Sequence, residues 1–495
     1  MSLSNLTTGE GIPQRAALSE VKRKLLEKYA RGQYSQTFEV VPAITRRAPG
    51  ELAPLSLFQE QIWLQAMDGN TVASFYNEST TVHRCGDLDK VALEHSFSEI
   101  IRRHETWRTT FDTIDGRPMQ VIHPVPSSQA IPFIDLRTIP ETSRRAEALR
   151  LATEDARRPF DLKHGPLVRP LLITLDRQLH LLFLTMHQSI TDGVSVYQIF
   201  PSELTALYAA LSGDEPPILP DLPIQYGDFA LWERLMLQND LLADEMAYWR
   251  KQLAGDVPQL NWPCACPPAS REDYRGAIQA FDMPKQLCDG LIDLSRREGV
   301  TFFMTLLAGF TGLLFCYTRQ QDITTGTVAP AGRKRGEVRN LLGYFLNPVA
   351  LRVDLSGNPS VRDLLRRCRE VTLGALAHDD VPLEYLKKQL MPELPSTRLW
   401  PFDMAITLAP PSTALIPGWK HTTMDCNTDW AKWALYLELS IGDGGIIGRA
   451  QYRTNLFTPN IISRLLQDLE ALLQGFTFDC EQRISDLPRY CSSSS

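Results

Sequence analysis

The sequence predicts an α/β protein built from two lobes, and three observations support that fold class. The chain has 495 residues, which is too long for one ordinary hydrophobic core. In both halves, segments with apolar residues at helical spacing alternate with short apolar runs typical of strands. Between the halves, residues 216–223 hold four prolines in eight positions, which interrupt any helix or central strand.

The first half consists of a leader and a lobe. Residues 1–44 are mostly polar and contain one short basic helical pattern, from Leu18 to Ala30, so we expect a leader or linker there. Residues 45–219 are expected to form the first lobe. Its predicted helices run from Gln59 to Ala66, Leu88 to His104 and Thr142 to Ala156, and its predicted strands from Phe75 to His83, Thr110 to Phe111, Met119 to His123, Leu167 to Leu175 and Leu179 to Met186.

The second half, residues 220–488, repeats this alternation, and residues 489–495 are expected to form a tail. Its predicted helices run from Asp244 to Leu253, Lys285 to Glu298, Thr301 to Tyr317, Val361 to Ala377, Leu383 to Gln389 and Asn460 to Gln474, and its predicted strands from Ile323 to Thr327, Val349 to Val353, Ala405 to Leu408, Leu435 to Ser440 and Ile446 to Tyr452. The similar order of elements predicts two related lobes that face each other.

Composition and charge exclude several classes of protein. The net charge is -7, from 58 acidic and 51 basic residues without a long basic run. The sequence therefore offers no basic segment that would bind the phosphates of a nucleic acid. The nine cysteines include one close pair, Cys264 and Cys266, without a second pair at zinc-ligand spacing, which favours reduced thiols over a metal site. The apolar run from Phe302 to Tyr317 is shorter than the roughly 20 residues that span a bilayer. Residues 1–15 lack the apolar core of a secretion signal, so we expect a cytoplasmic protein without metal, nucleic-acid or membrane partners.

A polar loop between a buried strand and an amphipathic helix is the most informative stretch of the chain. The nearly continuous apolar run from Leu179 to Met186 ends in His-Gln-Ser-Ile-Thr-Asp-Gly, residues 187–193, and helical spacing follows. Loops held by rigid elements often carry catalytic groups. The alternative is an ordinary turn, in which Asp192 and Gly193 supply the turn chemistry and His187 is hydrogen-bonded in the core.

This loop resembles the His-His-x-x-x-Asp-Gly signature of the condensation domains of nonribosomal peptide synthetases, with Gln188 in place of the second histidine. Other motifs similar to those of that family follow in the family's order along residues 45–488. They are Leu55 to Trp63 (LSLFQEQIW), Arg103 to Phe111 (RHETWRTTF), Tyr226 to Trp232 (YGDFALW), Gly343 to Pro348 (GYFLNP) with Arg352, and His378 to Glu384 (HDDVPLE). The seventh motif is poorly matched by Thr397 to Phe402 (TRLWPF), which keeps little beyond an arginine and a proline.

The resemblance implies a fold, a reaction and partners. The fold would be two chloramphenicol-acetyltransferase-like lobes in a V shape with a central channel. The reaction would join a carrier-bound acyl or peptidyl thioester to the amine of an aminoacyl-carrier acceptor. The partners would be donor and acceptor carrier proteins, whose phosphopantetheine arms enter the channel, together with adjacent synthetase domains. The resemblance implies no bound cofactor, and we expect a monomeric unit.

The resemblance also implies roles for individual residues. In the signature, Gln188 stands where the family has its candidate general base or charge stabiliser, beside His187. Asp192 would be structural through an arginine, and Gly193 would let a substrate approach the backbone. The candidate arginines are Arg333, Arg108 and Arg103, and the residues expected to line the channel are Tyr344, Phe345, Asn347 and Trp433. Because neighbouring side chains on a strand point in opposite directions, we expect Gln188 to face the channel and orient the amine while His187 points into the protein.

Three functions are compatible with these residues. The first is amide formation, which needs only a neutral amine held against a thioester. The second is a non-catalytic condensation-like domain that recruits or gates synthetase partners. The third is an ester-forming or epimerising member of the same fold, which Gln188 disfavours because an amide has no useful basicity near pH 7.

Overall fold

The computed structural model describes residues 43–48, 50–67, 74–127, 129–213, 219–237, 242–255, 257–262, 274–390, 401–422 and 426–487. The predicted leader helix and tail lie outside these residues. From Ile44 onward the described residues form one compact unit.

The first half contains a mixed sheet covered by helices. In chain order its elements are β1 (Ala53–Pro54), α1 (Leu57–Met67), β2 (Asn77–Cys85), α2 (Lys90–Arg103), β3 (Thr109–Ile114), β4 (Arg117–Ile122), β5 (Phe133–Asp135), α3 (Glu141–Arg157), β6 (Val168–Asp176), β7 (Leu179–His187) and α4 (Phe200–Leu211). Strand β7 lies between β2 and β6, antiparallel to both, and β5 runs parallel to β6. Strands β1, β4 and β3 form a separate sheet.

Both faces of β7 are buried, which explains its continuous apolar sequence. Leu182 and Leu184 belong to the same apolar cluster as Phe97 of α2. Leu181, on the opposite face, packs in a second cluster with Ala148 of α3. A strand covered on both faces excludes polar side chains from both, so its sequence does not alternate.

The second half contains a six-stranded sheet in the order β10-β9-β11-β13-β14-β8. Its elements, with strand β12 included, are α5 (Tyr226–Leu237), α6 (Leu242–Gln252), β8 (Gly276–Pro284), α7 (Lys285–Glu298), α8 (Phe302–Thr318), β9 (Asp322–Ala329), β10 (Asn347–Asp354), α9 (Val361–Ala377), α10 (Leu383–Leu390), β11 (Met404–Leu408), β12 (Trp419–Thr422), β13 (Leu435–Gly442), β14 (Gly445–Arg453) and α11 (Pro459–Phe478).

Helix α8 is the central helix of the second half. The Thr301 side chain accepts a hydrogen bond from the Met304 amide at 3.3 Å and caps its start. A Cβ at Gly309 would lie 2.4 Å from Leu473 of α11, so glycine permits the two helices to approach closely. Among the described residues no single helix is long and apolar enough to cross a membrane; α7 and α8 reach that length and hydropathy only together, across a 105° bend.

Strand β12 joins the sheet of the first half, although it lies in the second half of the sequence. It pairs antiparallel with β2, with Trp419 opposite Arg84 and Thr422 opposite Thr81. This strand was not expected from the sequence, because four residues show no periodicity. The division of the chain at residues 219 and 220 therefore stays a prediction, and the two halves share a sheet.

Candidate active site

The signature loop, residues 187–193, begins at His187, which is the last residue of β7. The backbone N–H of His187 donates to the carbonyl of Leu167 at 3.0 Å, and that of Gln188 donates to the carbonyl of Tyr76 at 2.8 Å. Residues Gln188–Ile190 form one 3-10 turn. The backbone of the loop is thus held by the residues that immediately precede the strands on both sides of β7.

His187 points into the protein and is 2% exposed. Its Nδ1 accepts a hydrogen bond from the Ser189 amide at 3.3 Å and lies 2.7 Å from the Ser189 hydroxyl. Because an N–H donor faces Nδ1, the proton of the neutral ring belongs on Nε2. Burial, with a smaller contribution from the Lys432 ammonium, lowers the pKa of His187 to about 3. His187 is therefore too weak a base to hold a proton at neutral pH.

Gln188 lines the cavity that lies between the sheet containing β7 and the six-stranded sheet of the second half. Its Oε1 accepts a hydrogen bond from Nζ of Lys432 at 2.5 Å. The same ammonium donates to Oε1 of Glu78 at 3.2 Å and lies 5.1 Å from the centre of the Tyr76 ring. Sequence reasoning missed Lys432 and Glu78 as site residues. The signals that could have found them are local, since Lys432 immediately precedes Trp433 and Glu78 lies within the predicted strand from Phe75 to His83.

Asp192 forms a buried ion pair with Arg333. Nε of Arg333 donates to Oδ2 of Asp192 at 2.7 Å and Nη2 donates to Oδ1 at 2.8 Å, with side chains 7% and 0% exposed. Oδ1 also accepts the amide of Ser195 at 2.8 Å. The other two candidate arginines lie elsewhere. Arg103 pairs with a glutamate on α4, and Arg108 donates to a backbone carbonyl and lies 3.7 Å from a neighbouring glutamate. The bidentate geometry fixes the loop against the second half of the chain.

Gly193 also lines the cavity. It has no positive φ, so its backbone conformation does not require glycine. A Cβ built there would meet Pro410 at 3.5 Å and Tyr197 at 3.6 Å, which are ordinary contacts. Glycine is therefore not needed here for a positive φ, and a side chain would occupy part of the cavity.

The structure corrects three of the four residues expected to line the channel. Trp433 lines the cavity. Tyr344, Phe345 and Asn347 are instead buried in the core, at 3%, 0% and 1% exposure. Phe345 packs edge-on against Tyr226 with ring centres 4.9 Å apart, and the Asn347 amide donates to two backbone carbonyls at 2.8 and 2.7 Å. Within this motif Leu346 lines the cavity, whereas Tyr344, Phe345 and Asn347 support the site from the core.

The other sequence motifs converge behind the signature loop. Nε2 of Gln59 donates to the carbonyl of Ser189 at 2.9 Å, so the motif from Leu55 to Trp63 holds the signature loop directly. The hydroxyls of Ser56 and Tyr226 lie 2.8 Å apart, and Tyr226 donates in turn to the carbonyl of Tyr344. These buried hydrogen bonds connect the signature loop with the motifs that begin at Leu55, Tyr226 and Gly343.

Gly343 packs tightly against the residues that support the signature loop. Its carbonyl accepts from the Ser195 hydroxyl at 3.2 Å, and its amide lies 3.1 Å from the same oxygen. The preceding amide, of Leu342, donates to Nδ1 of His104 at 3.3 Å. A Cβ at Gly343 would lie 2.2 Å from the Tyr226 ring, so only glycine fits here.

The cavity has a volume of about 310 Å³ and receives side chains from both halves of the chain. That volume is at the small end of the range for ligand sites. Its polar lining residues include Glu78, Gln188, Tyr197, Thr407, Lys432, Tyr436, Glu438 and Arg449. Besides the Glu78–Lys432 pair, Glu438 accepts from the Tyr197 hydroxyl at 2.9 Å and lies 3.5 Å from Arg449. In the described part of the chain, no group of three or more His, Cys, Asp or Glu side chains is arranged to hold a metal ion.

Comparison with known proteins places this chain in a protein family. The family model described as "Condensation domain" matches residues 50–491. A linear gramicidin synthase protein of Brevibacillus parabrevis is 37% identical over 440 residues, which cover 88% of this chain and 6% of that protein. Phosphinothricin tripeptide synthetase PhsC of Streptomyces viridochromogenes is 35% identical over 484 residues, which cover 96% of this chain and 43% of that protein. The chain thus spans less than half the length of these relatives.

Solved structures show the same fold. The X-domain from teicoplanin biosynthesis has a TM-score of 0.76 and 26% identity, with 90% of this chain and 100% of that one covered. The first condensation domain of the calcium-dependent antibiotic synthetase has a TM-score of 0.77 and 19% identity, with 89% and 100% covered. The predicted α/β fold is confirmed, and the chain belongs to the condensation domain family of nonribosomal peptide synthetases.

Proposed function

We propose that this domain forms an amide bond between a carrier-bound acyl or peptidyl thioester and the amine of an aminoacyl-carrier acceptor. The observation that supports this most is the cavity between the two sheets, which has Gln188 on its wall. The Asp192–Arg333 pair holds the loop that carries Gln188. The partners would be donor and acceptor carriers, which bring both thioesters on phosphopantetheine arms, and adjacent synthetase domains.

The reaction balances without a redox partner or a metal. The acceptor nitrogen attacks the donor carbonyl carbon, a C–N bond forms, and the C–S bond breaks. The thiolate of the donor arm leaves, and the proton lost by the amine neutralises it. An α-amine has a reference pKa of about 7.7 to 8.0, so part of it is already neutral near pH 7.

Positioning would supply most of the rate enhancement. Holding two reactants in attack geometry contributes up to about 7 to 11 kcal/mol in favourable cases. General base help typically contributes about 10²- to 10⁴-fold, and neither Gln188 nor the buried His187 offers a strong base. We therefore expect slow but measurable amide formation.

A second candidate function is recruitment of a partner protein. The observation that favours it is the 26% identity and TM-score of 0.76 to the X-domain from teicoplanin biosynthesis. An X-domain from that pathway has been solved in complex with OxyB. Gln188 in place of the second signature histidine is compatible with this function as well.

Intact-mass analysis of loaded carriers distinguishes the two functions. The wild-type protein would be incubated with an acyl-loaded donor carrier and an aminoacyl-loaded acceptor carrier, in parallel with Gln188→Ala and Gln188→His. Gln467→Ala is the matched control, because Gln467 is exposed on α11 and lies outside the cavity. We expect product from wild type and the control, less from Gln188→Ala, and at least as much from Gln188→His. Absence of product from both wild type and Gln188→His would refute amide formation and favour recruitment.

A further inference from the structure

The contact between Lys432 and Gln188 determines the orientation of the glutamine amide on the cavity wall. A lysine ammonium has three hydrogen-bond donors and no acceptor. The atom of Gln188 that lies 2.5 Å from Nζ of Lys432 must therefore be the carbonyl oxygen, because an NH₂ group would face another donor. The two N–H donors of Gln188 then point away from Lys432.

Lys432 is itself held in place from several directions. Its side chain is 13% exposed, and Nζ contacts both Glu78 and the face of the Tyr76 ring. Its backbone carbonyl accepts from Nη2 of Arg453 at 2.8 Å. The Lys432 ammonium is thus held by Glu78 on β2 and by Tyr76 next to it, while the Lys432 backbone is held by Arg453 on β14.

We propose that Gln188 donates a hydrogen bond to the carbonyl oxygen of the donor thioester, and that Lys432 is the positioning residue that presents this donor. This proposal rests on amide formation as the function of the domain. When the amine attacks, negative charge develops on that carbonyl oxygen, and a preorganised N–H donor stabilises it. The nearby positive charge of Lys432 polarises the Gln188 amide, which strengthens its N–H groups as donors.

This arrangement differs from the expectation that Gln188 orients the attacking amine. A glutamine that orients the attacking amine would need its oxygen free to accept an N–H. In the structure that oxygen already accepts from Lys432, so the amine would have to share it through the second lone pair or displace the ammonium. The competing explanation is therefore that Lys432 occupies the amine's position and slows the reaction.

Four substitutions separate these explanations. Gln188→Glu keeps an oxygen for Lys432 but has no N–H to donate, whereas Gln188→Ala loses both. Lys432→Met removes the donor and the charge at similar length, and Lys432→Arg restores both. Lys251→Met is the matched control, because Lys251 is exposed on α6 and outside the cavity. Thermal melting of every variant checks that the fold is retained.

With loaded carriers, we expect Gln188→Glu to be as slow as Gln188→Ala. Loss of one such donor typically lowers kcat by about 10²- to 10³-fold. Lys432→Met should lower kcat with little change in KM, and Lys432→Arg should restore most of the rate. In addition, the infrared stretch of an isotope-labelled donor thioester carbonyl should shift to lower frequency on binding to wild type but not to Gln188→Glu.

Several results would overturn the proposal. A wild-type rate in Gln188→Glu would remove the donor role, and a wild-type rate in Lys432→Met would remove the positioning role. A faster Lys432→Met would show that Lys432 competes with the amine. These results all require product from wild type, so they differ from failure of amide formation itself, in which neither wild type nor Gln188→His forms product.

Discussion

Replacing Asp192 by alanine should destabilise the folded protein strongly, because it leaves the Arg333 guanidinium buried without its carboxylate. Arg333 is 7% exposed, and its remaining contacts are the Ser195 hydroxyl and the carbonyls of Leu341 and Val338. It also lies 4.4 Å above the Phe345 ring. None of these groups carries a negative charge.

The expected magnitude follows from this burial. Removing one member of a buried ion pair costs about 3 to 5 kcal/mol, because the other charge stays desolvated. Arg333→Met should cost a similar amount, since among the described residues the Asp192 carboxylate would keep the Ser195 amide at 2.8 Å but no charged partner. The double variant leaves no uncompensated charge, so its cost should fall below the sum of the two single variants by roughly 0.5 to 3 kcal/mol.

Urea unfolding followed by tryptophan fluorescence measures these costs through the midpoint and slope. The control is Glu99→Ala, which removes an exposed ion pair with Arg102 at 2.6 Å and should leave the midpoint nearly unchanged. An unchanged midpoint in Asp192→Ala, or strictly additive effects in the double variant, would refute the reasoning that the pair is structural.

Three further predictions follow from the same geometry. Gly343→Ala should lower the melting temperature while Gly193→Ala should not, because an added Cβ would lie 2.2 Å from a tyrosine ring at the first and 3.5 Å from its nearest neighbour at the second; equal melting temperatures would contradict this. Burial raises the pKa of Glu233 to about 8 from an ordinary 4.5, so the folded state keeps a proton that the unfolded state releases. The contribution of Glu233 to stability should therefore fall as pH rises from 4.5 to 8, and the difference in stability between wild type and Glu233→Gln should change across this range. Burial lowers the pKa of His187 to about 3 from 6.5, so the unfolded state takes up a proton before the folded state does as pH drops. The contribution of His187 to stability should therefore fall from pH 6.5 to 3, opposing that of Glu233 where the two ranges overlap. His187→Gln should flatten the acid side of the stability curve, and a curve parallel to wild type would show that His187 does not titrate this way.

Local patterns in the sequence were enough to place most helices and strands. Helices α7 and α9 begin and end at the predicted residues, because their boundaries depend on nearby groups. The Ser360 side chain accepts from the Asp363 amide at the start of α9, and Gly299 adopts φ 66° at the end of α7. The loop after β7 could be recognised for the same reason, since its strand, turn and glycine are contiguous.

By itself, then, the sequence determined the fold class, the order of the elements and the loop that carries the site. Only the tertiary structure decided which arginine meets Asp192, because Arg103, Arg108 and Arg333 are chemically identical and differ only in where the fold places them. It also decided that the aromatic residues after Gly343 enter the core.

The contact between Lys432 and Gln188 joins positions 244 residues apart. Strand β12 crosses to β2 over an even longer separation. Such contacts depend on how the two halves pack, and no local periodicity records that packing.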